Sequence, residues 1–181
     1  MLKNLLRNYQ ERERQIKINI YKLSFSTMLD KDYLVSFLKK NNVNFEIYRF
    51  KEETVTSRQA SSLLNIPLNS IAKSVLLMDE KRRPLLVILP GDKRINQKKL
   101  AKNLGRKKLR LATQDEVIEN TGYPPGGIPP VGHSNTIETI VDETLLQNDY
   151  VVAGGGSTNV LLKIDPKDIV RLQNARIMKI P

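Results

Sequence analysis

A segment rich in glycine and proline is the strongest candidate for a ligand-binding loop in this sequence. Residues 122–133 read GYPPGGIPPVGH and contain four glycines and four prolines. Glycine lets a backbone approach a ligand closely, and proline stiffens a chain by fixing φ. Such a loop would present backbone amides on a rigid wall. An ordinary surface turn is the alternative, but this composition favours a binding loop.

A run of three glycines is a second candidate. Residues 153–159 read AGGGSTN and follow an apolar strand pattern. A glycine run at the end of a strand can cradle a phosphate or leave space for a ligand. The run is not a Walker A motif, because no Gly-Lys-Ser/Thr follows, and it is not a dinucleotide fingerprint, because a strand pattern follows it. A plain hairpin turn explains the run equally well.

One lysine stands inside an apolar segment. Lys73 lies in SIAKSVLLM, where its ammonium must stay hydrated or paired. It could reach into a pocket towards a phosphate or carbonyl oxygen. From the residues alone, a lysine on the solvent face of a half-buried strand is the simpler interpretation.

The residue types that most hydrolases use are scarce. The sequence has no cysteine, which excludes a thiolate–zinc site and a cysteine nucleophile, and His133 is its single histidine. No serine stands in a G-x-S-x-G pattern, which disfavours a serine hydrolase of that kind. A structural role for His133 is as open as a catalytic one, and Asp92 in PGDKR fits a turn aspartate.

Positive charge is concentrated in one part of the chain. The net charge of +11 at pH 7 favours a polyanionic partner. Residues 93–110, KRINQKKLAKNLGRKKLR, contain no acidic residue, whereas a solvated helix face normally mixes signs. We therefore expect this segment to bind phosphates, and a lysine-rich surface that serves solubility is the alternative. The residues assigned to this contact are Lys93, Arg94, Lys98, Lys99 and Lys102.

The chain is expected to form one domain over residues 28–181, preceded by a basic extension over residues 1–27. Met28 offers an alternative start. No apolar run approaches the ~18 residues needed to span a bilayer. The N-terminus lacks a secretory hydrophobic region. We therefore expect a cytoplasmic protein without a membrane partner.

Apolar spacing and capping residues predict an α/β fold. Thr56 with Gln59 and Thr113 with Glu116 form capping-box pairs, and two apolar runs separated by DEKRRP indicate a hairpin. Helices are predicted over 30–41, 57–65, 96–104 and 114–120 and from Pro166, and strands over 45–50, 72–78, 85–89, 109–112, 136–142, 149–154, 159–164 and 175–180. Hairpins mixed with helical crossovers predict a single mixed, partly antiparallel β-sheet with helices packed around it.

Taken together, the motifs resemble the YbaK/ProX family, free-standing relatives of the editing domain of bacterial prolyl-tRNA synthetase. They occur in the order IAKSVLL, LPGDKRIN, TGYPPGGIPPVGH and VVAGGGSTNVLLKI, and the similarity covers about residues 28–181. The resemblance implies a mixed α/β fold with a pocket for the amino acid esterified to the 3′ end of tRNA. It places Lys73 in that pocket and implies that a G-x-x-x-P loop, residues 126–130, positions the aminoacyl carbonyl. It also implies chemistry without a metal or cofactor, assisted by the substrate and bound water.

On this basis the expected activity is trans-editing, the hydrolysis of the ester of a mischarged aminoacyl-tRNA. The amino acid would be small, such as Ala, Cys or Ser, on tRNA-Pro or a related tRNA, and an aminoacyl-tRNA synthetase is a second candidate partner. The resemblance assigns Lys73 and Gly126 to catalysis. The residues assigned to substrate binding are Ser74, Gly127, Pro130, Gly132, His133, Gly154, Gly155, Gly156 and Ser157.

Two other hypotheses remain at this point. The first is a module of the same fold that binds tRNA or a synthetase but has lost hydrolysis. The second is an unrelated nucleic-acid-binding protein, which would explain the charge but not the glycine–proline loop.

Overall fold

The computed structural model describes residues 11–13 and 28–181. The predicted extension over residues 1–27 therefore lies almost wholly outside the described residues. The strands are β1 (Phe45–Arg49), β2 (Ile71–Asp79), β3 (Pro84–Pro90), β4 (Leu109–Leu111), β5 (Glu138–Asp142), β6 (Val151–Gly154), β7 (Val160–Ile164) and β8 (Arg176–Met178). The helices are α1 (Lys31–Lys40), α2 (Ser57–Leu64), α3 (Gln97–Asn103), α4 (Gln114–Thr121) and α5 (Pro166–Gln173), with short 3₁₀ turns at Leu68–Ser70 and Glu143–Gln147. No helix in this part of the chain is both long and apolar enough to span a bilayer.

The helices begin at the residues that the sequence predicts. Both capping boxes are present, so the side chains of Thr56 and Thr113 each accept a backbone N–H at the start of α2 and α4. Asp30 and Asn96 cap α1 and α3 in the same way. Because capping satisfies the first free N–H groups of a helix locally, these positions could be found without knowledge of the fold.

The strands form one mixed sheet, which confirms the predicted fold class. Its order is β1-β7-β6-β2-β3-β5-β8, with β4 beside one end of β2. The β2–β3 hairpin is antiparallel, as predicted, whereas β2/β6, β3/β5 and β5/β8 are parallel pairs. The parallel pairs need crossovers, which the helices and longer loops supply.

Strand β2 changes its neighbour part-way along one edge. It pairs with β6 through Ile71 and Ala72 only, and with β4 through residues 77–79. After Ala72, β2 and β6 separate, and β4 takes the place beside β2 only from residue 77. This divergence opens the sheet beside residues 73–75.

The two faces of the sheet bury separate apolar cores, because successive strand residues point to opposite faces. On one face, Leu86 and Ile88 pack in a cluster that includes Leu34 of α1. On the other face, Leu89 packs in a cluster that includes Leu100 of α3. Lys73 lies directly opposite Leu89 in the β2–β3 ladder, so its side chain starts on the face that α3 covers.

The glycine–proline loop is fastened to the fold at its C-terminal end. The buried Tyr123 hydroxyl donates to Gly132 O at 2.9 Å. The amide of Gln173 donates to His133 Nδ1 at 3.3 Å, so His133 Nε2 carries the proton and donates to Pro129 O at 2.9 Å. Burial lowers the pKa of His133 to about 4. The single histidine is therefore neutral at pH 7 and braces the loop.

This brace predicts an acid-sensitive contribution to stability. The ordinary pKa of histidine, 6.5, applies to the unfolded chain, whereas the folded value is about 4. The stabilisation is then complete above pH 6.5 and is lost as the pH falls towards 4, because only the unfolded state takes up the proton. We expect the melting temperature of wild type to exceed that of His133→Gln at pH 7.5, and the difference to shrink at pH 4.5.

The matched control is Ser134→Ala, at the exposed neighbouring residue. The difference in melting temperature between this variant and wild type should be the same at pH 7.5 and pH 4.5. A His133→Gln difference that is the same at pH 7.5 and 4.5 would show that His133 is not held neutral by the fold.

Candidate active site

A pocket opens where β2 and β6 diverge. Its volume is about 100 Å³, and its walls come from five separate segments of the chain. The lining residues are Thr54, Val55, Thr56, Ser57, Ala60, Ile71, Ala72, Lys73, Ser74, Gly126, Ile128, Ala153, Gly154 and Leu161. Of the residues that the sequence predicts to act on substrate, the pocket brings together Lys73, Ser74, Gly126 and Gly154.

Lys73 places a half-buried ammonium at this pocket. Its Nζ donates to the carbonyl oxygen of Lys93 and, at 3.4 Å, to that of Gly91. Burial lowers the pKa of Lys73, and the nearby carboxylate of Asp92 opposes that shift. The ammonium has three N–H donors, so two carbonyl contacts leave one donor for a ligand oxygen.

The turn that supplies these carbonyls is itself anchored. Lys93 Nζ lies 2.9 and 3.1 Å from the two carboxylate oxygens of Asp142, which is fully buried. Asp142 also accepts the backbone N–H of Ile180 at 3.0 Å. The Lys93 side chain therefore points inwards and holds the turn in place. This geometry does not favour the predicted phosphate contact for Lys93, whereas Arg94 is exposed.

Ser74 provides a polar atom without a partner. Its Oγ is buried and makes no hydrogen bond to any described residue. A buried hydroxyl is usually hydrogen-bonded, and one that is not calls for an explanation such as a missing ligand. Because Ser74 also lines the pocket, its hydroxyl is placed to bond a polar group of a bound molecule.

Gly126 forms part of the pocket rim. Its φ is +84°, and a Cβ at this position would lie 2.8 Å from Val55 Cγ1. The N–H of Gly127 donates to Pro124 O at 3.0 Å and closes the turn. By contrast, the exposed Gly126 N–H donates to no acceptor among residues 11–13 and 28–181. It is therefore available to a ligand at the mouth of the pocket.

The glycine run after β6 packs against the glycine–proline loop, backbone to backbone. A Cβ on Gly154 would lie 2.5 Å from Ile128 O, a distance that no side chain tolerates. The N–H of Gly156 donates to Gly127 O at 2.9 Å. The run is also the connection of the β6–β7 hairpin, which is the simpler of the two interpretations, and Gly154 lines the pocket.

Seven predicted substrate-binding residues do not line the pocket. They are Gly127, Pro130, Gly132, His133, Gly155, Gly156 and Ser157. Most of them lie in the contact between the two glycine-rich loops or in the brace around His133, so they shape the wall from behind. Conversely, the wall formed by residues 54–57 was missed. Thr54 Oγ1 donates to Thr158 O at 3.1 Å, and the sequence signals this segment only through the capping box at Thr56.

Basic side chains gather on α3 and the residues after it. They line a shallow groove, which we call the basic groove: Asn96, Lys98, Lys99, Lys102, Arg106 and Lys107. Helix α3 covers the sheet face on which the Lys73 side chain starts. Helix α3, which carries the basic groove, and the first part of the Lys73 side chain therefore lie on the same face of the sheet.

Metal-binding side chains are not clustered in the described residues. No three histidine, aspartate or glutamate side chains of residues 11–13 and 28–181 lie close enough together to hold a metal ion. The one histidine has both ring nitrogens engaged by Pro129 and Gln173.

The sequence of this chain is similar to those of known proteins. The sequence profile of the aminoacyl-tRNA editing domain matches residues 51–172. A protein of Enterococcus faecalis described as a candidate Cys-tRNA(Pro)/Cys-tRNA(Cys) deacylase, EbsC, is 25% identical over 145 residues, covering 79% of this chain and 88% of that protein. Proline–tRNA ligase of Burkholderia multivorans is 39% identical over 97 residues, which is 51% of this chain and 17% of the ligase.

A solved structure agrees with the sequence relatives. The crystal structure of a candidate trans-editing enzyme for prolyl-tRNA synthetase superposes with a TM-score of 0.75 at 28% identity, covering 83% of this chain and 95% of the other. Residues 51–172, which the sequence profile matches, include every segment of the pocket wall. The chain belongs to the aminoacyl-tRNA editing domain family.

Proposed function

We propose that this protein hydrolyses the ester of a mischarged aminoacyl-tRNA in trans, without a metal ion. One observation supports this above the others. The pocket joins a lysine ammonium and an unpaired buried hydroxyl, both on β2, with an available backbone N–H on the glycine–proline loop. These groups bind and polarise an ester but include no strong nucleophile. An aminoacyl ester is already activated, so positioning and hydrogen-bond donors can supply much of the rate.

The reaction we propose consumes one water molecule. The water oxygen attacks the aminoacyl carbonyl carbon while the Gly126 N–H donates to the carbonyl oxygen, where negative charge develops. The bond between that carbon and the ribose oxygen then breaks, and the ribose oxygen takes up a proton from the water. The products are the free amino acid and uncharged tRNA. The Lys73 ammonium holds the reacting end through its remaining N–H donor.

The size of the pocket supports a small amino acid. An engineered cavity of about 150 Å³ in a protein core binds benzene, whereas this pocket measures about 100 Å³. We therefore expect it to take the small side chains of Ala, Cys or Ser in preference to aromatic ones. The Ser74 hydroxyl would pair with the amino group or with a polar side chain of the substrate. The names of the relatives favour tRNA-Pro as the carrier, and a prolyl-tRNA synthetase as a further partner.

The basic groove supports contact with the tRNA phosphates. Lys98, Lys99 and Lys102 are exposed along α3, which packs on the sheet face where the Lys73 side chain starts. We propose that these lysines, with Arg94, attract the acceptor stem, while Lys93 positions the turn beneath Lys73. Editing of charged tRNA accompanies translation, so we place the protein in the cytoplasm.

Removing the Lys73 ammonium tests the catalytic assignment. We expect Lys73→Ala to lower turnover of a mischarged tRNA by about a hundredfold or more, the usual effect of losing one aimed donor. The melting temperature should change little, because the carbonyls of Gly91 and Lys93 can bond water instead. Lys73→Arg should not restore turnover, because a planar guanidinium does not replace a compact ammonium.

Lys163→Ala is the matched control, because Lys163 is a half-buried lysine that pairs with Glu46 and does not line the pocket. Wild-type turnover in Lys73→Ala, at an unchanged melting temperature, would remove Lys73 from the site.

A methyl group at Gly126 tests the loop. Because φ is +84° and Val55 Cγ1 stands 2.8 Å from the new Cβ, Gly126→Ala should displace the N–H that meets the ester. A misplacement of about one ångström can cost about a hundredfold in rate. The strained φ alone should cost about 1 kcal/mol in the free energy of unfolding. Turnover and unfolding are measured on the same preparation.

The double variant Val55→Ala/Gly126→Ala removes the clash but keeps the strained φ, so it should recover part of the turnover and little of the stability. If Gly126→Ala is less stable but turns over normally, the loop is a scaffold and does not contact the ester.

A further inference from the structure

The β2–β3 hairpin carries an arginine in a backbone conformation that disfavours it. The loop is closed by Arg82 N–H donating to Asp79 O and Asp79 N–H donating to Arg83 O, both at 3.1 Å. Arg82 has φ +59°, in the left-handed region that glycine and asparagine adopt most easily. The other left-handed non-glycine residues in the described part of the chain are Asn42, Asn65 and Asn174. Arg82 is the exception to that pattern.

The turn does not need the Arg82 side chain to form. The carboxylate of Asp79 accepts the backbone N–H groups of Lys81 and Arg83 at 2.8 Å and the Arg83 Nε at 2.7 Å. These three bonds close the loop from inside. A glycine at position 82 would leave these three hydrogen bonds in place and would adopt the same positive φ without its energetic cost. A residue that is held in a costly conformation without a structural reason points to a function for its side chain.

The charge of Arg82 is directed to solvent. Its side chain is 78% exposed, and its guanidinium lies 3.9 Å from Glu116. That carboxylate is already occupied by two hydrogen bonds of 2.7 Å from Arg110. Lys81 is exposed beside it and has no ion pair with another described residue.

The hairpin tip, residues 80–83, continues the basic groove. Arg106 Nη1 lies 3.7 Å from Asp79, and the Lys108 N–H donates to Glu80 Oε2 at 3.4 Å. These contacts place exposed Lys107 and Lys108 against the tip. Since Lys107 also lines the groove, positive side chains continue from α3 to the hairpin tip, where Glu80 is the one acidic residue of the tip.

The distance from the pocket suits a nucleic-acid duplex. Strand β2 runs from Lys73 to the base of the tip at Asp79, and at ~3.3 Å per residue the two ends are about 20 Å apart. Phosphates repeat regularly along a duplex, so contacts at separated points fix its direction and register without reading its sequence.

We propose that the hairpin tip is a second phosphate contact for the stem of an RNA whose charged end reaches Lys73. The stem lies along β2, held along α3 by the basic groove and at the hairpin tip by Arg82 with Lys81 and Lys108. The placement of the charged end of the RNA at Lys73 rests on the proposed function, whereas binding of the RNA at the tip does not. The partner is an RNA duplex bound through its backbone.

Arg82→Gly tests the phosphate contact, because it should affect stability and RNA affinity in opposite directions. The variant removes one charge and an unfavourable φ, so its melting temperature should rise or stay level while its affinity for RNA falls. The probe is uncharged, transcribed tRNA-Pro, and the dissociation constant is measured between 50 and 200 mM KCl. A plot of log affinity against log salt should become less steep by about 0.7 to 0.9, the value expected for the loss of one phosphate contact. Arg82→Lys, which keeps the charge, should keep most of the slope.

Asn174→Gly is the matched control, because it relieves a left-handed residue at the end of α5, and its RNA affinity should equal that of wild type. An unchanged salt slope in Arg82→Gly, or no binding of the tRNA by wild type, would overturn the proposal. The proposal would also be overturned if Arg82→Gly lost binding to a prolyl-tRNA synthetase but kept its affinity for RNA. That result would make the tip a protein-docking surface.

The probe carries no amino acid, so this test does not depend on hydrolysis. If the tip binds RNA but no ester is cleaved, the proposed function fails and this inference stands. If esters are cleaved at wild-type turnover and the salt slope is unchanged, only this inference fails.

Discussion

The pocket depends on the contact between two glycine-rich loops. Gly154 meets Ile128 O at a distance that leaves no room for a Cβ, and Gly156 donates to Gly127 O. This backbone packing fixes the glycine–proline loop against β6 just where β2 leaves it after two residue pairs. A side chain at Gly154 would force the loops apart, and the rim would lose its position relative to Lys73. The opening in the sheet becomes a defined cavity only because these loops seal one side of it.

A second set of contacts holds the cation at the site. Buried Asp142 binds Lys93 Nζ, and the backbone of the same turn accepts the Lys73 ammonium. A lysine on an apolar strand would otherwise extend to water, because burying its charge without partners is costly. The turn offers neutral carbonyl oxygens to Lys73, while the carboxylate of Asp142 pairs with Lys93. The ammonium is thereby held in place without being neutralised, which leaves its charge available to a substrate.

The sequence predicted local features well and long-range ones poorly. Helix starts at Thr56 and Thr113 were found because a capping box is complete within four residues. Lys93 was assigned to phosphate because it begins a basic segment, and its pairing with distant Asp142 could not be seen in that segment. The wall at residues 54–57 carries no chemical signal of its own, since its place at the pocket comes from the bond between Thr54 and Thr158.

The most direct test of the account is a deacylation assay on a panel of purified mischarged tRNA-Pro species carrying Ala, Ser, Cys or Phe. A pocket of about 100 Å³ with a polar group at Ser74 predicts release of at least one of the three small amino acids and none of phenylalanine. Release of phenylalanine at a comparable rate would contradict the proposed pocket. No release from any of the four would contradict the proposed hydrolase and leave a module that binds tRNA or a synthetase.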